Sequence, residues 1–307
     1  MRILITGATG QLGKNLVSAL SRTNHTIILL VRDVNKMQQF LTKKGMIGID
    51  KYQIHRADIT DPDTCHKYIR NIDIVIHLAA IIQQVDTLEK EKEMLNVNFY
   101  GTLNVLKSMV AGKVRKLIFP SASMVYRDNL NCKENELAKV EPSTPYALSK
   151  VLAENVIQMY SRLHNIEYRI LRCSYLYGLN HSSSIVNKMI KKVITNEVIE
   201  YGNNVKRDFL NTKDLIDFII TLLDFKGNDI INVGTGQETS ISELIQMILD
   251  ELGQQKPIRV NTNYCRDDKY ERWRDSINIE KLARSGFNPQ ETFRDGIRLI
   301  INESYIR

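Results

Sequence analysis

Short apolar runs alternate with amphipathic stretches through the first half of the chain. Ile3-Leu4-Ile5, Thr26-Ile27-Ile28-Leu29-Leu30-Val31, Ile74-Val75-Ile76-His77-Leu78-Ala79-Ala80 and Lys116-Leu117-Ile118-Phe119 have the continuous apolar character of strands buried on both faces. Gln53-Ile54-His55-Arg56-Ala57 is a further strand candidate. Between these runs, Leu16, Val17 and Leu20, and later Val97, Leu103, Val105 and Leu106, recur at helical spacing. Strand and helix in alternation predict βαβ units and a parallel sheet. After Tyr168-Arg169-Ile170-Leu171-Arg172 the alternation loosens. Helices are expected near 184–196, 213–224 and 240–252, separated by short strands such as Ile230-Ile231-Asn232-Val233. The C-terminal third is therefore not expected to extend the same sheet, and a smaller lobe beside it is the natural reading.

The first strand runs into Thr6-Gly7-Ala8-Thr9-Gly10-Gln11-Leu12-Gly13 and then into a helix. Gly7 permits a tight turn, Gly10 lets backbone approach a pyrophosphate, and Gly13 lets helix and strand pack closely. The helix N-terminus offers unpaired N–H groups to phosphate. Thr9, Gln11 and Leu12 fill the same turn. The expected fold is thus α/β, a doubly wound parallel Rossmann sheet with a smaller C-terminal substrate lobe. We place the dinucleotide domain at 1–172 with parts of 207–236, and the lobe at 173–206 and 237–307. At the end of the second strand an acidic residue would bind a ribose 2′-hydroxyl and favour NAD. Val31 stands there, followed by Arg32, which with Lys36 favours NADP; Asp33 keeps NAD open.

Tyr146 and Lys150 lie four residues apart, on one face of a helix. A free phenol titrates near about 10 and is a poor acid–base group at neutrality. A neighbouring ammonium favours the phenolate and draws that value toward the working pH.

The net charge of +7 comes from dispersed residues; Lys188, Lys191 and Lys192 are the only tight basic group in a helical stretch. This predicts a solvated surface that attracts phosphorylated small molecules and not nucleic acid. Cys65, Cys132, Cys173 and Cys265 lack metal-ligand spacing and read as reduced thiols of a cytoplasmic protein. The chain opens directly on a strand and carries no apolar run of membrane-spanning length, so no signal peptide, membrane partner or metal is expected.

The glycine turn together with Tyr146-x-x-x-Lys150 resembles the extended short-chain dehydrogenase/reductase family, nearest its nucleotide-sugar epimerases, dehydratases and reductases. Further blocks fit along nearly the whole length. Asp58-Ile59 resembles the adenine-contacting segment, His77-Leu78-Ala79-Ala80 the strand end that lines the dinucleotide, and Asn98 the active-site-helix Asn. Arg207-Asp208-Phe209-Leu210 with Asp214, Ile231 to Gly236, and Gly286-Phe287-Asn288-Pro289 with Gly296-Ile297 also fit. The resemblance implies that Tyr146 exchanges a proton with a substrate hydroxyl or carbonyl while hydride moves to or from nicotinamide. Lys150 would hold the ribose hydroxyls. Arg207 and Arg266 would meet a substrate diphosphate, where guanidinium donors are suited to phosphate oxygens.

Three positions depart from the family pattern, two of them of consequence. Ala122 stands where a catalytic Ser or Thr is usual, which leaves Ser121 or Ser123 to supply the hydrogen bond, and Ser123 is the choice here. Tyr175 stands where many nucleotide-sugar members carry an Asn that touches the diphosphate; Arg127 replaces a common Gly. No acidic pair accompanies Ser123, since Met124 and Val125 follow, and this lowers dehydratase relative to epimerase or reductase. The leading reading is an NAD(P)-dependent oxidoreductase or epimerase acting on a nucleoside-diphosphate sugar. A reductase of an apolar alcohol or ketone, of the steroid or flavonoid type, and a non-catalytic dinucleotide-binding scaffold are the alternatives. Leu148, Leu152, Val156 and Met159 form a second apolar side on the Tyr146 helix, which with the family resemblance predicts a homodimer.

Overall fold

The computed structural model describes residues 1–46, 51–82, 87–126, 133–179, 181–200, 205–254, 260–261 and 274–305. They fall into two compact units: Met1–Val125 with Pro142–Leu171 and Ile219–Ile230, and Tyr126–Glu141 with Arg172–Phe218 and Ile231–Arg307. The chain begins β1 (Arg2–Thr6), α1 (Gln11–Leu20), β2 (Thr26–Val31), α2 (Val34–Lys43), β3 (Tyr52–Arg56), α3 (Pro62–Tyr68) and β4 (Ile74–His77). It continues α4 (Leu88–Leu95), a π-helical turn at Asn96–Tyr100, α5 (Gly101–Ala111), β5 (Lys116–Ala122), a 3₁₀ turn at Ser123–Val125, α6 (Pro145–His164) and β6 (Glu167–Cys173). Then follow β7 (Tyr175–Tyr177), α7 (Ile185–Ile194), β8 (Ile199–Glu200), β9 (Lys206–Arg207), β10 (Phe209–Asn211), α8 (Thr212–Thr221), β11 (Asp229–Val233), β12 (Thr239–Ser240) and α9 (Ile241–Leu252). The last elements are β13 (Val260–Asn261), β14 (Arg274–Asp275), α10 (Glu280–Arg284) and α11 (Phe293–Tyr305).

The central sheet has seven strands in the order β11-β6-β5-β4-β1-β2-β3. β1 pairs parallel with β2 on one side and with β4 on the other. The strand order therefore reverses at β1, and the carboxyl ends of β1 and β4 flank the switch point where α/β sheets bind ligands. The fold is the expected doubly wound α/β arrangement. The strand expected at Ile230-Ile231-Asn232-Val233 is β11, and it joins this sheet at its edge although the C-terminal third as a whole is not expected to extend it.

In the first unit the core gathers Leu4, Ile28, Val75, Leu117 and Phe119 from strands, Val105, Leu106 and Met109 from α5, and Ala153, Val156 and Ile157 from α6. Val156 is thus a core residue of its own sheet, contrary to its expected place on an outer apolar face. Leu148 and Met159 are exposed, at 43% and 41%. In the second unit Val186, Ile190, Ile241, Leu244, Ile248, Ile297 and Ile300 pack α7, α9 and α11 together. Phe293 stacks on Phe209 at 4.8 Å and meets Tyr177 edge-on. Among the described residues, no helix is long and apolar enough to cross a membrane, and no acidic, His or Cys group could hold a metal.

Candidate active site

The glycine turn is built by steric necessity. Gly7 has φ +69°, and a Cβ there would lie 2.6 Å from the Ala79 backbone nitrogen. A Cβ on Gly13 would meet Ala8 Cα at 2.6 Å, so this glycine lets α1 close onto β1. Gly10 closes the turn with its N–H on the Gly7 carbonyl at 2.9 Å and is itself exposed. Gly10 is the N-cap of α1 and brings no side-chain acceptor, and the first helical turn holds no acid. The N–H groups of this terminus, among Thr9, Gln11, Leu12 and Gly13, therefore suit a phosphate. A nicotinamide dinucleotide fits this cradle.

At the tip of β2, Val31 is buried while Arg32 and Lys36 are exposed. Asp33 is exposed, and its Oδ1 caps α2 by accepting from the Lys36 backbone N–H at 2.9 Å. Asp58 accepts from the Thr60 N–H and hydroxyl at 2.9 and 2.8 Å, which shapes the turn after β3. Ile59 is buried, its carbonyl takes the Asn104 amide at 3.0 Å, and its side chain lies where a Cβ on Gly101 would be.

Leu78, Ala79 and Ala80 follow β4 and are half-buried. The Leu78 N–H reaches the Thr6 carbonyl at 3.3 Å, and the Ala79 N–H reaches the Thr6 hydroxyl at 3.2 Å. Asn98 sits in the π-helical turn, a distortion that gathers at functional sites. Its amide clamps Ile81 twice, accepting from the N–H at 2.8 Å and donating to the carbonyl at 2.9 Å, and also donates to the Ser149 hydroxyl at 2.9 Å.

Helix α6 starts on a Thr144 N-cap with Pro145 in the first position, and Tyr146 follows in the first turn. Lys150 is only 4% exposed. Its ammonium donates to the Pro120 carbonyl at 2.8 Å and lies 4.4 Å from the Phe119 ring centre. The two candidate serines separate. Ser121 donates to Glu154, a carboxylate 2% exposed on α6, at 2.5 Å. Ser123 is buried in the 3₁₀ turn that follows Ala122. Ser121 is thus committed to Glu154, whereas Ser123 lies one residue beyond Ala122 in the same buried segment.

Three further buried groups stand out; the sequence placed His77 at a dinucleotide-lining strand end and Asp208 in a family block, and gave Glu154 no role. His77, at the end of β4, bonds Thr6 and Thr102, and burial with the facing Lys150 charge pushes its ring down to about 3. Glu154 repeats the spacing of Tyr146 and Lys150, the only signal that pointed to it. Asp208, in the second unit, is raised to about 6 by burial, although Thr235 and Gly236 donate to it.

In the second unit Arg207 is 6% exposed. Its guanidinium stacks 5.0 Å from the Tyr175 ring centre and donates to the Lys206 carbonyl at 2.9 Å. No carboxylate of the described residues pairs with it. The structure thus brings Tyr175 and Arg207 together, whereas Arg266 lies outside the described residues, as do Arg127, Cys132 and Cys265.

Comparison with known proteins fixes the class. Residues 3–234 match the model of the NAD dependent epimerase/dehydratase family, and the chain belongs to that family, an enzyme of the extended short-chain dehydrogenase type. It is 31% identical to a Methanocaldococcus jannaschii protein named "Putative UDP-glucose 4-epimerase", over 98% of this chain and 97% of that one. It is 26% identical to human dTDP-D-glucose 4,6-dehydratase, over 98% and 89%. A UDP-glucuronic acid 4-epimerase from Bacillus cereus, solved with UDP-glucuronic acid and NAD, has the same fold at TM-score 0.88, 24% identity, and 99% and 100% coverage.

Proposed function

We propose that this enzyme interconverts nucleoside-diphosphate sugars, with Tyr146 as the acid–base, in an epimerase-type cycle. One arrangement carries the reading. The ammonium of Lys150 is anchored on the Pro120 carbonyl, on the helix face that carries Tyr146, in the same unit as the glycine turn with no side-chain cap. A nicotinamide dinucleotide held at Gly7, Gly10 and Gly13 supplies the hydride acceptor and donor. Tyr146 takes the proton of a sugar hydroxyl as the hydride leaves its carbon and returns that proton afterwards. Lys150 supplies the charge that favours the phenolate and donors for ribose hydroxyls. Ser123 donates to the same sugar oxygen in place of the residue lost at Ala122.

Arg207 supports the diphosphate part, because a buried guanidinium with no carboxylate partner among the described residues is suited to phosphate oxygens. This weighs against an apolar alcohol or ketone as substrate. Met124 and Val125 supply no acid for eliminating water, which favours epimerisation over dehydration. The relatives' NAD is the cofactor we assign; NADP remains in the test because Val31 offers no carboxylate, Asp33 is a helix cap, and Arg32 and Lys36 are exposed. The homodimer stands as a proposal on the exposed Leu148 and Met159.

The test combines dinucleotide titrations with turnover of UDP- and dTDP-sugars by wild type and Tyr146→Phe. The variant should bind NAD or NADP as wild type does and lose roughly 10²-fold or more in kcat. Undiminished turnover by Tyr146→Phe would sink the reading, and a scaffold would show no wild-type turnover at all. The tighter of the two dinucleotides settles the cofactor.

A further inference from the structure

The first unit holds two buried hydrogen-bond runs, joined through Asn98, between the switch point of the sheet and the turn that carries Tyr146. In the β1–β4 register Thr6 stands opposite His77. The Thr6 hydroxyl lies 2.6 Å from His77 Nδ1, and His77 Nε2 lies 3.0 Å from the Thr102 hydroxyl. Thr102 in turn donates to the Asn98 carbonyl at 2.6 Å. The Asn98 amide donates to Ser149, and Ser149 donates to the Tyr146 carbonyl at 2.7 Å. Thr6, His77, Asn98, Thr102 and Ser149 are all at most 2% exposed.

The directions are fixed by proton accounting. Thr102 spends its one proton on the Asn98 carbonyl, so it accepts from Nε2–H. The ring is neutral, so Nδ1 accepts from Thr6, and Thr6 accepts from the Ala79 N–H. Each hydroxyl donates once, and none keeps a free rotamer. One end of the chain is the backbone after β4, at Ala79 and, through the Asn98 clamp, Ile81. The other end is the peptide of Tyr146.

We propose that His77, as the neutral Nε2–H tautomer, is a positioning residue for catalysis that fixes the Tyr146 turn against the backbone wall following β4. This rests on the reading of Tyr146 as the acid–base. Lys150 is the charge that faces the ring, and its repulsion, with burial, keeps His77 uncharged. A charged ring would need a second acceptor where Thr6 donates.

The test reads the phenol directly and needs no substrate. Tyr146 is titrated by phenolate absorbance in the NAD-loaded enzyme, as the difference from Tyr146→Phe. Thr102→Val keeps the shape and removes the hydroxyl, and Thr102→Ser restores it; Ser149→Ala cuts the chain at its last link. Thr102→Val and Ser149→Ala should move the Tyr146 midpoint upward, away from its ammonium partner, by about half a unit or more. NAD affinity should stay within roughly threefold of wild type, and Thr102→Ser should recover the midpoint. An unmoved midpoint in either cut variant overturns the proposal. Ring ¹⁵N spectra of wild type decide independently of any variant's folding: an Nδ1–H tautomer, or a ring that titrates between pH 5 and 8, overturns it. Undiminished turnover by Tyr146→Phe would instead remove the parent reading and leave the titration result standing.

Discussion

Each unit contains a glycine turn that follows a strand, and the two have opposite chemistry. In the first, Gly7 takes φ +69° after β1, and the N-terminus of α1 brings no side chain to its own N–H groups. In the second, Gly236 takes φ +68° after β11, and the N–H groups of Thr235 and Gly236 donate to the Asp208 carboxylate at 2.9 and 2.8 Å. A Cβ on Gly234 would collide with that same carboxylate at 2.6 Å. The second turn is thus filled by an anion of its own chain, while the first is left for one from outside. A glycine turn by itself is no nucleotide signal; what matters is whether the protein supplies the acceptor.

Alanine at the two positive-φ glycines breaks the comparison most sharply. A left-handed backbone costs a residue with a Cβ about 1–3 kcal/mol. At Gly7 the new atom also meets the Ala79 backbone at 2.6 Å, which cannot swing away. Gly7→Ala should weaken NAD binding by roughly 100-fold or more, measured by fluorescence titration beside a melting curve. At Gly236 the nearest atom is the Ile279 side chain at 3.1 Å, which can give. Gly236→Ala should lower stability by about 1–3 kcal/mol and leave NAD affinity unchanged. Equal loss of NAD affinity in both variants would refute the distinction.

Acid–base linkage sharpens the contrast next. Burial raises Asp208 from 3.8 to about 6, so the folded protein holds this proton more tightly than the unfolded chain. Its stabilising contribution is full below pH 3.8 and is lost as pH rises through 6, a change of about 3 kcal/mol. His77 behaves oppositely: lowered from 6.5 to about 3, it stabilises above pH 6.5, and that contribution fades as pH falls toward 3. Urea midpoints of Asp208→Asn against wild type, taken from pH 4 to 6.5, isolate the first slope. The wild type should lose stability relative to the variant as pH rises. Parallel curves would mean that the carboxyl is ionised throughout the range.

What the sequence disclosed follows the distance over which each feature is determined. The β1–turn–α1 unit and the Tyr146–Lys150 spacing are local, and both were legible. Asp33 was visible as an acid, and its place just before a helix also made it an N-cap signal, the role its Oδ1 takes in α2. The commitment of Ser121 depends on Glu154, 33 residues onward, and no spacing rule on β5 separates Ser121 from Ser123. The His77 chain needs β1, β4, the π-helical turn and α6 at once, so only the folded sheet assembles it. Asp208 was read as part of a family block, yet its carboxylate meets the Thr235–Gly236 turn only once the second unit folds.

The smallest effect separates the units by two helix caps of like strength. Thr144 accepts from the Ala147 N–H at 3.0 Å at the start of α6. Ser240 accepts from the Glu243 N–H at 3.1 Å, and Glu243 returns the bond to the Ser240 N–H, a full capping box at the start of α9. Either cap replaced by Ala should cost about 1 kcal/mol of stability, read by urea unfolding. Only Thr144→Ala should also slow catalysis, because Tyr146 lies two residues beyond the cap and a frayed first turn displaces its phenol. A fall in kcat of up to about tenfold is expected there, with none for Ser240→Ala. If Thr144→Ala destabilises but keeps its kcat, the bond from Ser149 to the Tyr146 carbonyl holds that turn without help from the cap.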